Sequence, residues 1–193
     1  MRSIAQLIQY DELHKKGEGT REDEKLLIYS LIRQYRPKTV CEIGVSCGHL
    51  TTWIALAIAH NNYGGCISVD NWSKAHGGVA NSPKQAIKRL VDSNLRKHIR
   101  FETSDSLEYL KTRPDNSIDF MWIDGNHDEE NAYADIKEAL RVAKCLIGVH
   151  DTAQQYTGPK EACKRIEVEY GKGFWVHGNR GMWFINKTDI GVI

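Results

Sequence analysis

The feature that most restricts what this chain can fold into is an alternation, repeated five times, of a short apolar run and a segment with helical periodicity. TVCEIG at 39–44 precedes a helix from His49 to Asn61, marked by Leu50, Trp53, Ile54 and Ala57. CISVD at 66–70 is followed, after a loop, by a helix around 83–97 with Ile87, Leu90, Val91 and Leu95 facing inward. IRFETSD at 99–105 leads into a short helix at SLEYLKT, and SIDFMWIDG at 117–125 into a helix at 129–142. AKCLIGVHD at 143–151 leads through a loop to a helix at roughly 159–170. Strands joined through helices run parallel, and a parallel sheet is buried on both faces. The ending breaks the rhythm: GFWVHG and GMWFINK, joined at Asn179-Arg180, read as a hairpin with a tight turn. The predicted class is therefore α/β, Rossmann-like and doubly wound. Its seven-stranded, mostly parallel sheet carries a C-terminal antiparallel hairpin strand and helices on both faces.

A chain of 193 residues fits one domain, 1–193. Residues 21–36 start with acids, end with bases and stop at Pro37, so 1–36 is read as an N-terminal helical lid or cap on a core of 37–193. Twenty-six basic residues against 25 acidic ones leave no global field to recruit nucleic acid or an anionic membrane. The local group Lys84, Lys88, Arg89, Arg96, Lys97 and Arg100 is read as the solvated face of a helix. No stretch resembles a signal peptide or a membrane span. The five cysteines are odd in number and form no CxxC pair; Cys41, Cys66 and Cys145, in or beside apolar runs, are read as reduced core residues, Cys47 as structural, and the location as cytoplasmic. The glycine-rich piece at 73–82 is the candidate mobile loop.

In a doubly wound sheet the ligand lies outside the carboxyl ends of the strands. Here those ends carry Glu42 to Gly48, Asp70, Ser104 with Asp105, Asp124 to His127, and His150 with Asp151. Packing alone does not call for so many acids, although any single one could be a turn former or helix cap. Gly44 and Gly48 permit a tight turn before a helix N-terminus. Ser46 stands where GxGxxG has its second glycine, which argues against a dinucleotide and against an NAD-dependent oxidoreductase. Asp70 could accept ribose hydroxyls or form an Asx turn. Trp72 could stack on adenine or pack under the loop. Asp105 could receive an adenine amino group or cap the next helix.

The series EIGVSCG, SVD, TSDS, IDFMWIDGNHDEENAYADI and IGVHD resembles the class I S-adenosylmethionine-dependent methyltransferases. It is most similar to a small branch with Asp-Gly-x-His after the fourth strand and His-Asp after the fifth. The resemblance covers about 38–152, and 118–135 is its most specific part. It implies that Glu42, Gly44, Ser46 and Gly48 hold the methionine part of S-adenosyl-L-methionine. It gives the ribose to Asp70 and the adenine to Ser104 and Asp105. Asn71, Trp72 and Asp124 complete the expected cofactor set. His127, Asp124 and His150 are the expected catalytic residues. Asp124 and Asp151 match positions that hold a divalent cation, magnesium or similar, in metal-dependent relatives, but Thr152 replaces an amide ligand found there. The bland alternatives are a helix cap for His127 and a packed strand-end residue for His150. The implied activity is O-methylation of a small-molecule hydroxyl, on a sugar or natural product. A non-catalytic adenosine-ligand binding module or assembly subunit with the same fold is the competing reading. The expected partner is a small-molecule acceptor, with no membrane or nucleic acid, and a homo-oligomer stays open. Residues 1–20, 72–82 and 152–158 are expected to set acceptor specificity.

Overall fold

The structure is a computed structural model and describes residues 3–13, 20–73 and 83–190. His14, His76 and nearly all of the glycine-rich 73–82 piece lie outside the described residues. Two helices come first, α1 (Ile4–Leu13) and α2 (Glu22–Tyr35). Then β1 (Thr39–Ile43), α3 (His49–Asn61), β2 (Gly65–Asp70), α4 (Pro83–Asp92), β3 (Ile99–Thr103) and α5 (Ser106–Lys111) alternate. The chain continues through β4 (Ile118–Ile123), α6 (Glu129–Val142), β5 (Ala143–His150) and α7 (Thr157–Tyr170), and ends with β6 (Phe174–Val176) and β7 (Met182–Asn186).

The seven strands form one sheet in the order β3-β2-β1-β4-β5-β7-β6. The first five are parallel, and β7 runs antiparallel to both β5 and β6. This bears out the expected fold class. Alternation along the strands sorts side chains between two cores. Val40, Phe120 and Trp122 pack with Ile28, Ile32, Trp53 and Leu90 on the face of α2, α3 and α4. Cys41, Ile43, Met121 and Ile123 pack with Ile136, Leu140 and Ile166 on the face of α6 and α7.

Three details differ from the sequence reading. The hairpin turn is not the two residues Asn179-Arg180 but spans 177–181, because it reaches across to the segment after β5: Ala153 N–H donates to the Arg180 carbonyl at 2.7 Å and Thr152 N–H to that of Gly181 at 3.3 Å. The helix expected to run to 97 stops at Asp92. Asn94 takes a left-handed conformation (φ 56°) and a short 3-10 turn, Arg96–His98, follows, which still buries Leu95. Val91 is then 57% exposed, and Ala86, Arg89 and Leu90 form the buried face instead.

Arg89 does not belong to a solvated face either. It is drawn inward by Asp11 of α1, whose carboxylate is only 3% exposed. Asp11 accepts from Lys25 Nζ, Arg89 Nη1 and Trp53 Nε1, each at 2.9 Å, and His49 Nδ1 lies at 3.7 Å. Burial pushes the Asp11 carboxyl up, but the His49 imidazole and the Lys25 charge outweigh it and hold the group well below the usual carboxylate range. One carboxylate thus ties α1 to α2, α3 and α4. Asp11→Ala strands two buried cations and is expected to cost about 3–5 kcal/mol in urea unfolding; a loss under about 1 kcal/mol would show the cluster to be dispensable.

Candidate active site

β1 pairs with β2 on one side and β4 on the other, so the chain reverses direction across the sheet there and the loops after the two strands diverge. A cleft of about 360 Å³ opens at this point. Its base is the turn after β1, where Gly44 (φ 86°) lies so close to the next strand's end that a Cβ would stand 1.9 Å from the Asp124 carbonyl oxygen. Ser46 adopts a left-handed conformation as well (φ 50°), so the loop keeps a glycine-like path without a glycine.

Asp70 holds that turn in place. Its Oδ2 accepts from the backbone N–H groups of Val45 (2.8 Å) and Ser46 (2.9 Å), and its Oδ1 from Trp72 N–H (2.7 Å). The last bond is the Asx turn; the carboxylate also lines the cleft and, with about four acceptor sites, retains capacity for a ligand. Glu42 lies deeper, 1% exposed, and accepts from Thr51 Oγ1 (3.1 Å) and Ser68 Oγ (2.6 Å). Burial pushes its carboxyl up to about 8 despite those two hydroxyls, so it is largely neutral at pH 7.

At the end of β3, Ser104, Asp105 and Ser106 line the cleft, as does Asn71 after β2. Asp105 also caps α5, accepting from Leu107 N–H (3.0 Å) and Glu108 N–H (3.3 Å), which is the capping alternative of the sequence reading. Ser106 Oγ donates at 2.9 Å to Asp135 of α6, a 2%-exposed carboxyl that burial pushes up to about 6.

Two expected cofactor residues stand apart from the cleft lining. Trp72 turns toward the sheet edge, where its indole packs edge-on against Phe101 and its Nε1–H donates to Thr103 Oγ1 at 3.2 Å. Gly48 is the N-cap of α3, and a Cβ on it would stand 2.7 Å from that of Ala86, so its requirement is the packing of α3 on α4.

The opposite end of the cleft carries charge. His127 Nε2 lies 3.1 Å from Asp151 Oδ2, and that hydrogen bond raises the imidazole above its ordinary 6.5. Asp128 caps α6, which removes the capping alternative for His127. Asp124, His127 and Asp151 each offer one ligand atom, all within 4.8 Å of one another. Thr152 does not join them; it lines a separate cavity of about 220 Å³ beside Trp175 and His177.

His150, expected among the catalytic residues, differs from that expectation in its placement: its side chain is wholly buried and is not part of the cleft lining. Nε2 lies 3.0 Å from Glu24 Oε2 and Nδ1 3.1 Å from Asp124 Oδ2, with the ring beside Trp122. Burial lowers its pKa, but the Asp124 charge and the contacts with Asp124 and Glu24 outweigh it and bring the group up to about 10. The sequence reading missed Glu24, Asp135 and Arg180, which pairs with Asp151 at 3.3 Å. No local signal marks them, since each acts across 29 to 126 positions of sequence.

The sequence matches the family model described as "Methyltransferase domain" over residues 41–152, more than half of the chain. A comparison with curated proteins returned no match. Among solved structures the chain is similar to the O-methyltransferase from Bacillus cereus in complex with SAH (TM-score 0.67, 15% identity, 95% of this chain and 90% of that one). It is also similar to the O-methyltransferase TomG from Streptomyces achromogenes, involved in tomaymycin synthesis, in complex with SAM (0.68, 14%, 94% and 87%). A third is the SAH-bound methyltransferase PaMTH1 from Podospora anserina (0.71, 11%, 95% and 87%). Identities this low speak for the fold alone, whereas the family match speaks for the sequence. Together they carry one conclusion: the chain belongs to the methyltransferase-domain family and has the fold of the class I S-adenosylmethionine-dependent methyltransferases.

Proposed function

We propose that the protein transfers a methyl group from S-adenosylmethionine to a hydroxyl oxygen of a small molecule, a sugar or natural product. The observation that carries this reading is the convergence, in one cleft, of the Asp70-braced glycine turn with the paired His127 and Asp151. The O-methyltransferase descriptions of the Bacillus and Streptomyces neighbours support it. In this reading Asp70 and Asn71 take the ribose, Ser104 and Asp105 the adenine, and Glu42, Gly44, Ser46 and Asp124 the methionyl end. Gly48 and Trp72 shape the site without touching the ligand. The described part of the N-terminal segment acts as a cap, since Thr20 lines the cleft and Glu24 of α2 anchors His150.

S-adenosylmethionine supplies an electrophilic methyl on a sulfonium leaving group. The protein's share is to align the acceptor oxygen with it and to take the hydroxyl proton. With its Nε2–H directed at Asp151, neutral His127 presents Nδ1 as the proton acceptor, and Asp151 fixes that tautomer. The C–S bond breaks as the O–C bond forms, and the proton ends on His127.

A second reading is favoured by the clustering of Asp124, His127 and Asp151. Two carboxylates and an imidazole suit magnesium or manganese. Held by them, such an ion would lower the pKa of a bound hydroxyl and make a base unnecessary.

Asp70→Ala should weaken S-adenosylhomocysteine binding about 10- to 100-fold in calorimetry, through lost charge-assisted hydrogen bonds and a loosened turn; unchanged affinity refutes the ribose assignment. Glu42, held neutral, should lose its proton when a cationic ligand arrives beside it. Calorimetry near pH 7 in two buffers of different ionisation enthalpy should then report proton release on binding S-adenosylmethionine, and Glu42→Gln should abolish it. Labelled S-adenosylmethionine incubated with a panel of catechols, sugars and phenolic natural products tests the reaction itself. His127→Gln should slow turnover by about 10²-fold or more. Activity that persists in excess EDTA supports the base, and activity that vanishes supports the metal. Tight cofactor binding with no acceptor turned over would favour the non-catalytic binding module.

A further inference from the structure

The 177–181 turn lies outside the matched family segment, yet it is fastened firmly to the acceptor end of the cleft. Besides the two backbone bonds from Thr152 and Ala153, Gln155 Nε2 donates to the Asn179 carbonyl. Gly181 is left-handed (φ 75°), and a Cβ there would stand 2.6 Å from Ala153 N, so the turn's close approach to the segment after β5 depends on glycine. The product of this fastening is the position of Arg180. Its Nη1 lies 3.3 Å and 3.5 Å from the two oxygens of Asp151, and its guanidinium stands 5.6 Å from the centre of the Tyr156 ring. Asp151 is only 1% exposed, so a charge placed on it is poorly screened.

Asp151 of the candidate cation group therefore already faces a permanent cation on the protein, the Arg180 guanidinium. A divalent ion gains most where carboxylate charge is uncompensated and lone pairs are available. Here it would have to draw Asp151 away from the guanidinium, whose pairing with a buried carboxylate is costly to break from one side.

We propose that Arg180 is a built-in cation that stands in for a metal at Asp151. While it is present the protein binds divalent ions weakly, and the hairpin turn supplies the positive charge at the acceptor end of the cleft. The inference rests on reading Asp124, His127 and Asp151 as the donors of a cation site, and it ranks the two routes above: with Arg180 in place, proton transfer to His127 operates without a metal.

The test is a manganese titration, following free Mn²⁺ by electron paramagnetic resonance, on the parent protein, Arg180→Met and Arg180→Met with Asp151→Asn. Methionine keeps an aliphatic stem near Tyr156 and adds no hard ligand. The single variant should bind Mn²⁺ at least tenfold more tightly than the parent, and the double variant should lose that gain. Equal affinity in parent and variant overturns the proposal, and so does a variant that acquires no site. Should Arg180→Met fail to fold, Arg180→Gln carries the same expectation and the same refutations. S-adenosylhomocysteine calorimetry on the same samples separates the two ideas. A manganese gain without S-adenosylhomocysteine binding keeps the role of Arg180 and removes the cofactor reading; S-adenosylhomocysteine binding without a manganese gain does the reverse.

Discussion

The His150 imidazole, sealed inside the protein between Glu24 and Asp124, is the interaction on which the rest of the site depends. His150 stands at the end of β5, Glu24 opens α2 and Asp124 ends β4, so this chain of three groups joins the N-terminal helices to the middle of the sheet. Burying a polar ring is costly unless polar groups stand beside it, and here they come from two distant segments. Glu24 does double duty, because the oxygen that meets His150 also accepts from Arg21 N–H at the start of α2. The position of Thr20 at the cleft is thereby coupled to the position of Asp124.

The two ends of the cleft follow different physics. The end near β1, β2 and β3 is made of backbone turns braced by carboxylates: Asp70 on the Val45–Ser46 amides, Asp105 on the start of α5. Such a surface offers fixed hydrogen bonds to a ligand rich in hydroxyls and amines, and it needs little side-chain reach. The end near β4 and β5 is made of compensated charges. Asp124, Asp151, His127, His150 and Arg180 are linked by short ion-pair contacts, so that each holds another in place. Arg180, and the Glu24 that partners His150, come from segments outside the family match, one after it and one before.

The sequence alone determined the alternation of strands and helices, the hairpin at the end and the strand tips at which a ligand would lie. These are local properties: period-2 and period-3.6 patterns, and turn residues next to apolar runs, act over a few positions. The motifs after β1, β2 and β4 were legible for the same reason, since Glu42, Asp70, Asp124 and His127 belong to short stretches read with their neighbours. Only the tertiary structure decided that Trp72 faces Phe101, that Gly48 serves packing and that His150 is buried. It also decided that Arg89 lies inside on Asp11, 78 residues away, although its own neighbours are charged and solvated. The physical reason is that the energy of an ionisable group depends on burial and on the charges packed against it, and both are set by contacts between distant segments.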